Sequence, residues 1–214
     1  MPEDIYCFHG LGADARVFSR LDFGKKYRLI PVSYIDYRPY HTLRSFAEKM
    51  AEQIPAGSIL LGDSFGGMVA QEVARVNDAS QLILLSTVKK KREIGIHLRV
   101  SKHIKGYRAV SSWMNPFLVW WVNNMHWGIE QDVRELFTSM LSDFDPQFAK
   151  WIIRVVCEWS PPELNNPVIH VHGTKDIIFP HVLIQDCTSI KGGGHSMVLE
   201  RASCINEVVL KQLI

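Results

Sequence analysis

The sequence has no long hydrophobic run, no marked excess of either charge and no closely spaced pair of cysteines. No apolar stretch approaches the roughly 18 residues that a membrane-spanning helix needs. Lys and Arg number 24 against 22 Asp and Glu, so the formal net charge is only +2. So small a surplus argues against nucleic acid as the main partner. We therefore expect neither a membrane nor a nucleic acid among its partners.

The few cysteines also narrow the class of protein. There are four, widely separated along the chain: Cys7, Cys157, Cys187 and Cys204. This spacing favours reduced, mostly buried thiols. The first residues, Met1–Asp4, are acidic and are followed at once by Ile5–Phe8, which is not the pattern of a secretory signal peptide. The sequence therefore predicts a cytoplasmic protein, and a secreted protein with two disulfides is the alternative.

What is present is the pattern of an α/β protein. Of the 214 residues, 47% are hydrophobic and 21% are charged, as in an ordinary globular domain. Amphipathic stretches begin near Thr42, at Phe65 and after Met197, and they predict helices. Between them lie short apolar runs typical of parallel strands buried on both faces: Ile5–Phe8, Tyr27–Ile35, Ser58–Leu61, Leu82–Leu85, Pro167–Val171 and Thr188–Lys191. We expect a mostly parallel six-stranded sheet with helices on both faces.

One long stretch, residues 88–166, interrupts this alternation and shows no convincing strand. Asn115-Pro116 and Asp145-Pro146 are typical of helix starts. All six tryptophans fall in the stretch: Trp113, Trp120, Trp121, Trp127, Trp151 and Trp159. The sequence predicts a core of residues 1–87 and 167–214 with a helical cap insertion at 88–166. Its tryptophans either line an apolar pocket or attach the cap to the sheet.

The strongest local signal is Gly62-Asp63-Ser64-Phe65-Gly66, which follows an apolar run and precedes a helical pattern. A sharp strand-to-helix turn strains its central residue and requires flanking positions that are nearly free of side chains. Such a turn lifts the Ser64 hydroxyl clear of the sheet, beside a helix N-terminus. Ser64 is thus a candidate nucleophile, and a glycine-rich turn needed only for packing is the alternative.

A serine nucleophile needs an adjacent base, and the base needs an acceptor that fixes its tautomer. His195 stands out among nine histidines because it follows a strand-like run and Gly192–Gly194. Asp176 lies just beyond the run Pro167–Val171, although an ordinary turn aspartate has the same appearance. The carboxyl ends of parallel strands share one edge of the sheet, where sites form. We therefore expect Ser64, Asp176 and His195 to meet there.

In this order the motifs resemble those of the α/β-hydrolase superfamily. His9-Gly10-Leu11-Gly12 resembles its oxyanion loop, Gly62–Gly67 its nucleophile elbow, Gly173–Asp176 its acid turn and Gly194-His195 its histidine loop. The resemblance implies Ser64 as nucleophile, His195 as base and Asp176 as the group that orients the base. It also implies that the N–H groups of Leu11 and Phe65 bind the oxyanion, in loops shaped by Gly10, Gly62 and Gly66.

The activity so implied is hydrolysis of a small carboxylic ester or thioester through an acyl-enzyme, with no cofactor and no metal. No residue cluster has convincing metal-ligand spacing, and the aromatic cap favours a small, largely apolar acyl substrate. The same fold and triad also serve hydroxynitrile lyases, C–C hydrolases and cofactor-free synthases. A non-catalytic binding module is the remaining alternative.

The chain also departs from the family pattern. A first strand at residue 5 implies a trimmed sheet without the family's two leading strands. The link from Asp176 to Thr188 is short for a crossover helix, so a loop or an extra strand is expected at 177–187. His9 is expected to hold the oxyanion loop structurally, and His170 and His172 to be strand or turn residues.

Overall fold

The computed structural model describes residues 2–95 and 130–213. Within these ranges six strands form one sheet in the order β2-β1-β3-β4-β5-β6. They are β1 (Glu3–Phe8), β2 (Tyr27–Pro31), β3 (Ile59–Asp63), β4 (Gln81–Leu85), β5 (Val168–Gly173) and β6 (Thr188–Ile190). Every neighbouring pair is parallel, which confirms the predicted fold class. The second strand was expected to reach Ile35 but ends at Pro31, whose nitrogen has no hydrogen for the ladder.

Two helices of the described ranges begin directly after a residue whose side chain accepts a backbone N–H of the first turn. Thr42 accepts the Ser45 N–H at the start of the first helix, and Asp145 accepts the Gln147 N–H before Pro146. The predicted start at Asn115-Pro116 lies outside the described residues. The helices are α1 (Leu43–Ala51), α2 (Phe65–Asn77), α3 (Gln131–Asp143), α4 (Pro146–Glu158), α5 (Met197–Glu200) and α6 (Ala202–Leu210). Within the described ranges, none of them combines the length and apolar character needed to cross a membrane.

Two apolar layers enclose the sheet. On one face α1, α2 and α4 pack around Phe46, Met68 and Trp151. On the other face α3, α5 and α6 pack together through residues such as Val133, Met197 and Ile205. Successive side chains of a strand enter opposite layers, as Leu82 and Ile83 of β4 do. Because both faces are covered, the central strands are almost continuously apolar, which is the pattern that identified them in the sequence.

The described part of the stretch 88–166 contains α3, α4 and a 3₁₀ turn at Lys91–Glu93, and it contains no strand. Trp151 is buried in the same layer as α1 and α2, and its indole N–H donates to the Tyr40 carbonyl at 2.8 Å. Trp159 donates to Glu72 Oε1 on α2, also at 2.8 Å. These two tryptophans therefore attach α4 to the body of the protein. The other four lie outside the described residues, and the division into core and cap stays a prediction.

The link between β5 and β6 is a loop. It contains one short 3₁₀ helix, His181–Leu183, and no strand, so of the two expected arrangements the structure adopts the loop. All four cysteines lie in the described ranges as thiols, and Cys7 and Cys157 are buried. The loop brings the residues after β5 back to the sheet edge where β3 also ends, because β3, β4 and β5 are consecutive parallel neighbours.

Candidate active site

Ser64 occupies the sharp turn between β3 and α2. Its backbone has φ 54° and ψ −120°, a strained conformation for any residue with a β-carbon. Two hydrogen bonds hold it there. The Ser64 N–H donates to the Leu85 carbonyl at 2.9 Å, and the Thr87 hydroxyl donates to the Ser64 carbonyl at 2.7 Å. The end of β4 therefore fixes the direction in which the Ser64 hydroxyl points.

Glycines flank this turn because the backbone passes too close for a side chain. A β-carbon at Gly66 would overlap the Phe8 carbonyl, and one at Gly62 would overlap the backbone of Gly66 and Gly67. A β-carbon at Gly10 would lie 3.0 Å from the Ser64 β-carbon. The loop after β1 thus passes directly beside Ser64, where an oxyanion loop is expected.

The three side chains singled out in the sequence meet in one hydrogen-bonded chain. Ser64 Oγ lies 2.8 Å from His195 Nε2, and His195 Nδ1 lies 2.8 Å from Asp176 Oδ2. An ionised carboxylate only accepts hydrogen bonds, so Nδ1 carries the proton and the Nε2 lone pair faces the Ser64 hydroxyl. This is the arrangement that allows an imidazole to remove the proton of a serine hydroxyl.

Asp176 is held as an anion despite its burial. Its side chain is inaccessible to solvent. Oδ1 accepts the N–H groups of Ile178 and Phe179, both at 2.9 Å. Burial alone would raise the pKa of Asp176, but the charge and hydrogen bond of His195, together with the Phe179 N–H, lower it below its ordinary value. The carboxylate is therefore available to orient His195.

The carboxylate in turn makes His195 a stronger base. Burial disfavours the imidazolium, but the charge and hydrogen bond of Asp176 outweigh it and raise the pKa of His195 above the ordinary 6.5. A second carboxyl group, Asp63, is buried directly before Ser64. Burial raises the pKa of Asp63 to about 7, and within the described chain its Oδ1 has no hydrogen-bond partner. Asp63 therefore titrates near neutral pH, whereas Asp176 is ionised there.

The sequence predicts that the backbone N–H groups of Leu11 and Phe65 form an oxyanion hole. Phe65 is the first residue of α2, where helical N–H groups have no partner within the helix. Leu11 follows Gly10 in the loop beside Ser64. Among the hydrogen bonds of the described residues, none uses the N–H of Leu11 or of Phe65. Both donors are therefore without a partner in the described part of the chain, and their role as an oxyanion hole stays a prediction.

Tyr34, which follows β2 in the chain, holds the loop that carries Leu11. The Tyr34 hydroxyl donates to the His9 carbonyl at 2.7 Å, and the two rings lie 4.4 Å apart. His9 Nδ1 lies 3.1 Å from the Gly10 carbonyl, which can only accept, so Nδ1 is the donor. Burial lowers the pKa of His9. These contacts are those of a neutral histidine that shapes the loop, as expected from the sequence.

Sequence reasoning gave one residue near the site, His172, no role beyond that of a strand or turn residue. His172, at the end of β5, lies 3.4 Å from Asp176 Oδ2 through its Nε2 atom. The two residues are four apart in the sequence, on either side of the tight turn Gly173–Lys175. This spacing is the signal from which their contact could have been predicted. Within the described residues, no group of three His, Cys, Asp or Glu side chains is placed to hold a metal ion.

No protein-family model and no curated protein sequence matches this chain. Solved structures are similar over its whole length. An esterase from Thermogutta terrifontis has a TM-score of 0.75 at 16% identity, covering 100% of this chain and 90% of its own. A hydrolase from Oleispira antarctica has 0.76 at 13%, covering 99% and 90%. A bromoperoxidase from Bacillus anthracis has 0.71 at 17%, covering 100% and 92%. At such identities the likeness concerns the fold, and the chain has the α/β-hydrolase fold.

Proposed function

We propose that this protein is a serine hydrolase that cleaves a small carboxylic ester or thioester. The observation that carries the proposal is the chain Ser64–His195–Asp176, with both links at 2.8 Å, beside unused N–H donors. Esterases and hydrolases among the proteins of similar fold support it. The strained backbone of Ser64 supports it too, since such strain persists at functional sites.

In the proposed reaction, Ser64 Oγ attacks the carbonyl carbon while His195 Nε2 takes the hydroxyl proton. The Asp176 carboxylate stabilises the resulting imidazolium and stays ionised. Negative charge develops on the carbonyl oxygen, and the N–H groups of Leu11 and Phe65 bind it. Each such donor contributes about 3–4 kcal/mol to the transition state.

The intermediate then collapses. His195 gives its proton to the leaving alkoxide or thiolate, the bond to the leaving group breaks, and an acyl-Ser64 ester remains. Water attacks this ester while His195 again takes the proton, and a second collapse releases the carboxylic acid and restores Ser64. Every step uses groups of this chain and water, so the proposal includes no cofactor and no metal.

The proposed substrate is small and has a largely apolar acyl group. The Phe65 ring follows the nucleophile directly, and its centroid lies 6.1 Å from that of Tyr34 and 6.4 Å from that of Trp151. Phe65 and Trp151 are buried in the core, so the proposed apolar preference rests on the aromatic residues that the sequence places in the predicted cap. The proposal keeps residues 88–166 as a cap over this region and assigns the reaction to the cytoplasm.

The direct test is labelling with a fluorophosphonate probe, which reacts with activated serines. We expect the wild-type protein to be labelled at Ser64 and S64A to be unlabelled. S196A is the matched control, because Ser196 is adjacent to His195 but lies outside the hydrogen-bonded chain, and it should label as the wild type does. Folded wild-type protein that the probe fails to label would contradict the proposal.

A panel of short-chain p-nitrophenyl esters and thioesters tests the reaction itself. We expect turnover by the wild type and a loss of about 10⁴-fold or more in S64A. Labelling of Ser64 without turnover of any ester or thioester would contradict hydrolysis. It would point instead to another reaction of the same residues, such as that of a lyase, a C–C hydrolase or a cofactor-free synthase.

A further inference from the structure

The side chain of His172, on β5, lies next to the proposed acid, Asp176. Its side chain is inaccessible to solvent, as is that of Asp176. His172 Nε2 lies 2.8 Å from the carbonyl oxygen of Phe179 and 3.4 Å from Asp176 Oδ2. Asp176 Oδ2 is also the atom that accepts His195 Nδ1 at 2.8 Å. Two imidazoles therefore approach one carboxylate oxygen.

The contacts settle which nitrogen of His172 carries hydrogen. The Phe179 carbonyl can only accept, so Nε2 is the donor. A neutral imidazole has a single N–H, so Nδ1, which is buried without a hydrogen-bond partner within the described chain, carries no proton. Burial lowers the pKa of His172, although the Asp176 charge acts in the opposite direction. His172 is thus a neutral donor aimed at a backbone carbonyl, whereas His195 is the base.

The residue that His172 holds is connected to both other members of the site. The Phe179 N–H donates to Asp176 Oδ1 at 2.9 Å. The Phe179 ring lies edge-on to the His195 ring, with centroids 5.6 Å apart. A displacement of Phe179 would therefore move both the N–H that donates to Asp176 and the ring that packs against His195. The His172 hydrogen bond joins the Phe179 carbonyl directly to β5, in addition to the burial of the Phe179 ring in the core.

We infer that His172 is a positioning residue of the proposed hydrolase. Its Nε2–H fixes the Phe179 carbonyl, and the acid turn then presents Asp176 Oδ2 to His195 Nδ1. The inference rests on the proposed function. Without the donor, a buried carbonyl loses its partner and the turn relaxes to find another. A change of about 1 Å in such a support lowers catalysis by about 10²-fold.

Three substitutions at this position separate hydrogen bonding from packing. In H172Q the amide nitrogen can reach the place of Nε2, whereas in H172N the amide is too short and lies near the place of Nδ1. H172L fills the space without any donor. We expect H172L and H172N to lower kcat by about 10- to 100-fold with little change in KM, and H172Q to recover most of kcat.

N77L is the matched control. Asn77 is also buried, and its Nδ2 donates to the Ile54 carbonyl at 2.7 Å, but it lies at the end of α2 that is remote from Ser64. N77L should lower thermal stability with little effect on kcat. Equal losses of kcat in N77L and H172L would show a general effect of the core and overturn the inference. If H172L does not fold, the comparison of H172Q with H172N decides the question.

A spectroscopic reading tests His172 without turnover. The proton between His195 Nδ1 and Asp176 should give a far-downfield NMR resonance in the wild type and in H172Q, and this signal should be weakened or lost in H172N. An unchanged resonance together with unchanged kcat in H172N would overturn the inference. Failure of the wild type to label at Ser64 would instead refute the proposed function, while the resonance still reports on positioning.

Discussion

Gly173 and Gly193 lie in direct backbone contact: a β-carbon at Gly173 would overlap the carbonyl group of Gly193. Gly173 ends β5 before the acid turn, and Gly193 belongs to the loop that carries His195. The Lys175 N–H donates to the same Gly193 carbonyl at 2.8 Å, and the Thr174 N–H donates to the Ile190 carbonyl at 3.0 Å. Because the two loops touch, Asp176 and His195 come within hydrogen-bond distance.

The first prediction follows from this contact. G173A should push the two loops apart and lower the free energy of unfolding by about 1–3 kcal/mol. It should also lower kcat/KM by about tenfold or more. Thermal unfolding and ester turnover measure both effects. G194A is the control, because a β-carbon at Gly194 meets no atom within 4 Å. A G173A protein as active as G194A would contradict the role given to this contact.

The second prediction concerns the pH dependence of turnover. Only neutral His195 can accept the Ser64 proton, so kcat/KM should rise with pH. The midpoint should lie above the ordinary histidine value of 6.5, because Asp176 raises the pKa of His195. In D176N that carboxylate charge is gone, so the midpoint should move to lower pH and the plateau should fall by about 10⁴-fold. A midpoint that does not move in D176N would argue against the coupling of the two residues.

The third prediction concerns Asp63 and stability. Its pKa of about 7 in the folded protein exceeds the ordinary 3.8. Its contribution to stability is therefore fully present below about pH 4 and is lost as the pH rises through about 7. D63N cannot ionise, so its Tm relative to the wild type should increase from pH 4 to pH 8. A Tm difference independent of pH would contradict this assignment.

Asp4 offers a control of opposite sign for that experiment. A hydrogen bond from Arg28 lowers the pKa of Asp4 below its ordinary value, so this group stabilises the fold when ionised. The Tm of D4N relative to the wild type should fall as the pH rises to about 4 and should then stay nearly constant up to pH 8. The effect is small because this ion pair is exposed to solvent and screened.

The fourth prediction concerns the attachment of α4. The side chain of Glu72 is only 5% exposed, and its Oε1 accepts the Trp159 indole N–H at 2.8 Å. W159F removes the donor and leaves a buried carboxylate oxygen without that partner, which should lower stability by about 1–3 kcal/mol. Denaturant unfolding of W159F, E72L and the double variant measures the coupling. Additive effects of the two substitutions would contradict a direct interaction.

Much of the fold could be predicted from local sequence patterns. The apolar runs of β4 and β5 identified buried parallel strands because both faces of these strands are covered by helices. Thr42 and Asp145 marked helix starts because their side chains cap neighbouring N–H groups, which is an interaction within a few residues. The end of β2 was less predictable, because the residues after Pro31 have a strand-like composition although they lie in a loop.

The candidate active site could be predicted from the sequence only in part. The sequence by itself determined the residue types, their order and the sheet edge to which they belong, because strand and turn preferences are local. Only the tertiary structure decided that Asp176 is more than a turn aspartate, that His172 faces it, and that Trp151 and Trp159 attach α4. Those contacts join side chains on different elements, and their distances depend on how strands register and loops touch, as at Gly173 and Gly193, which no local preference specifies.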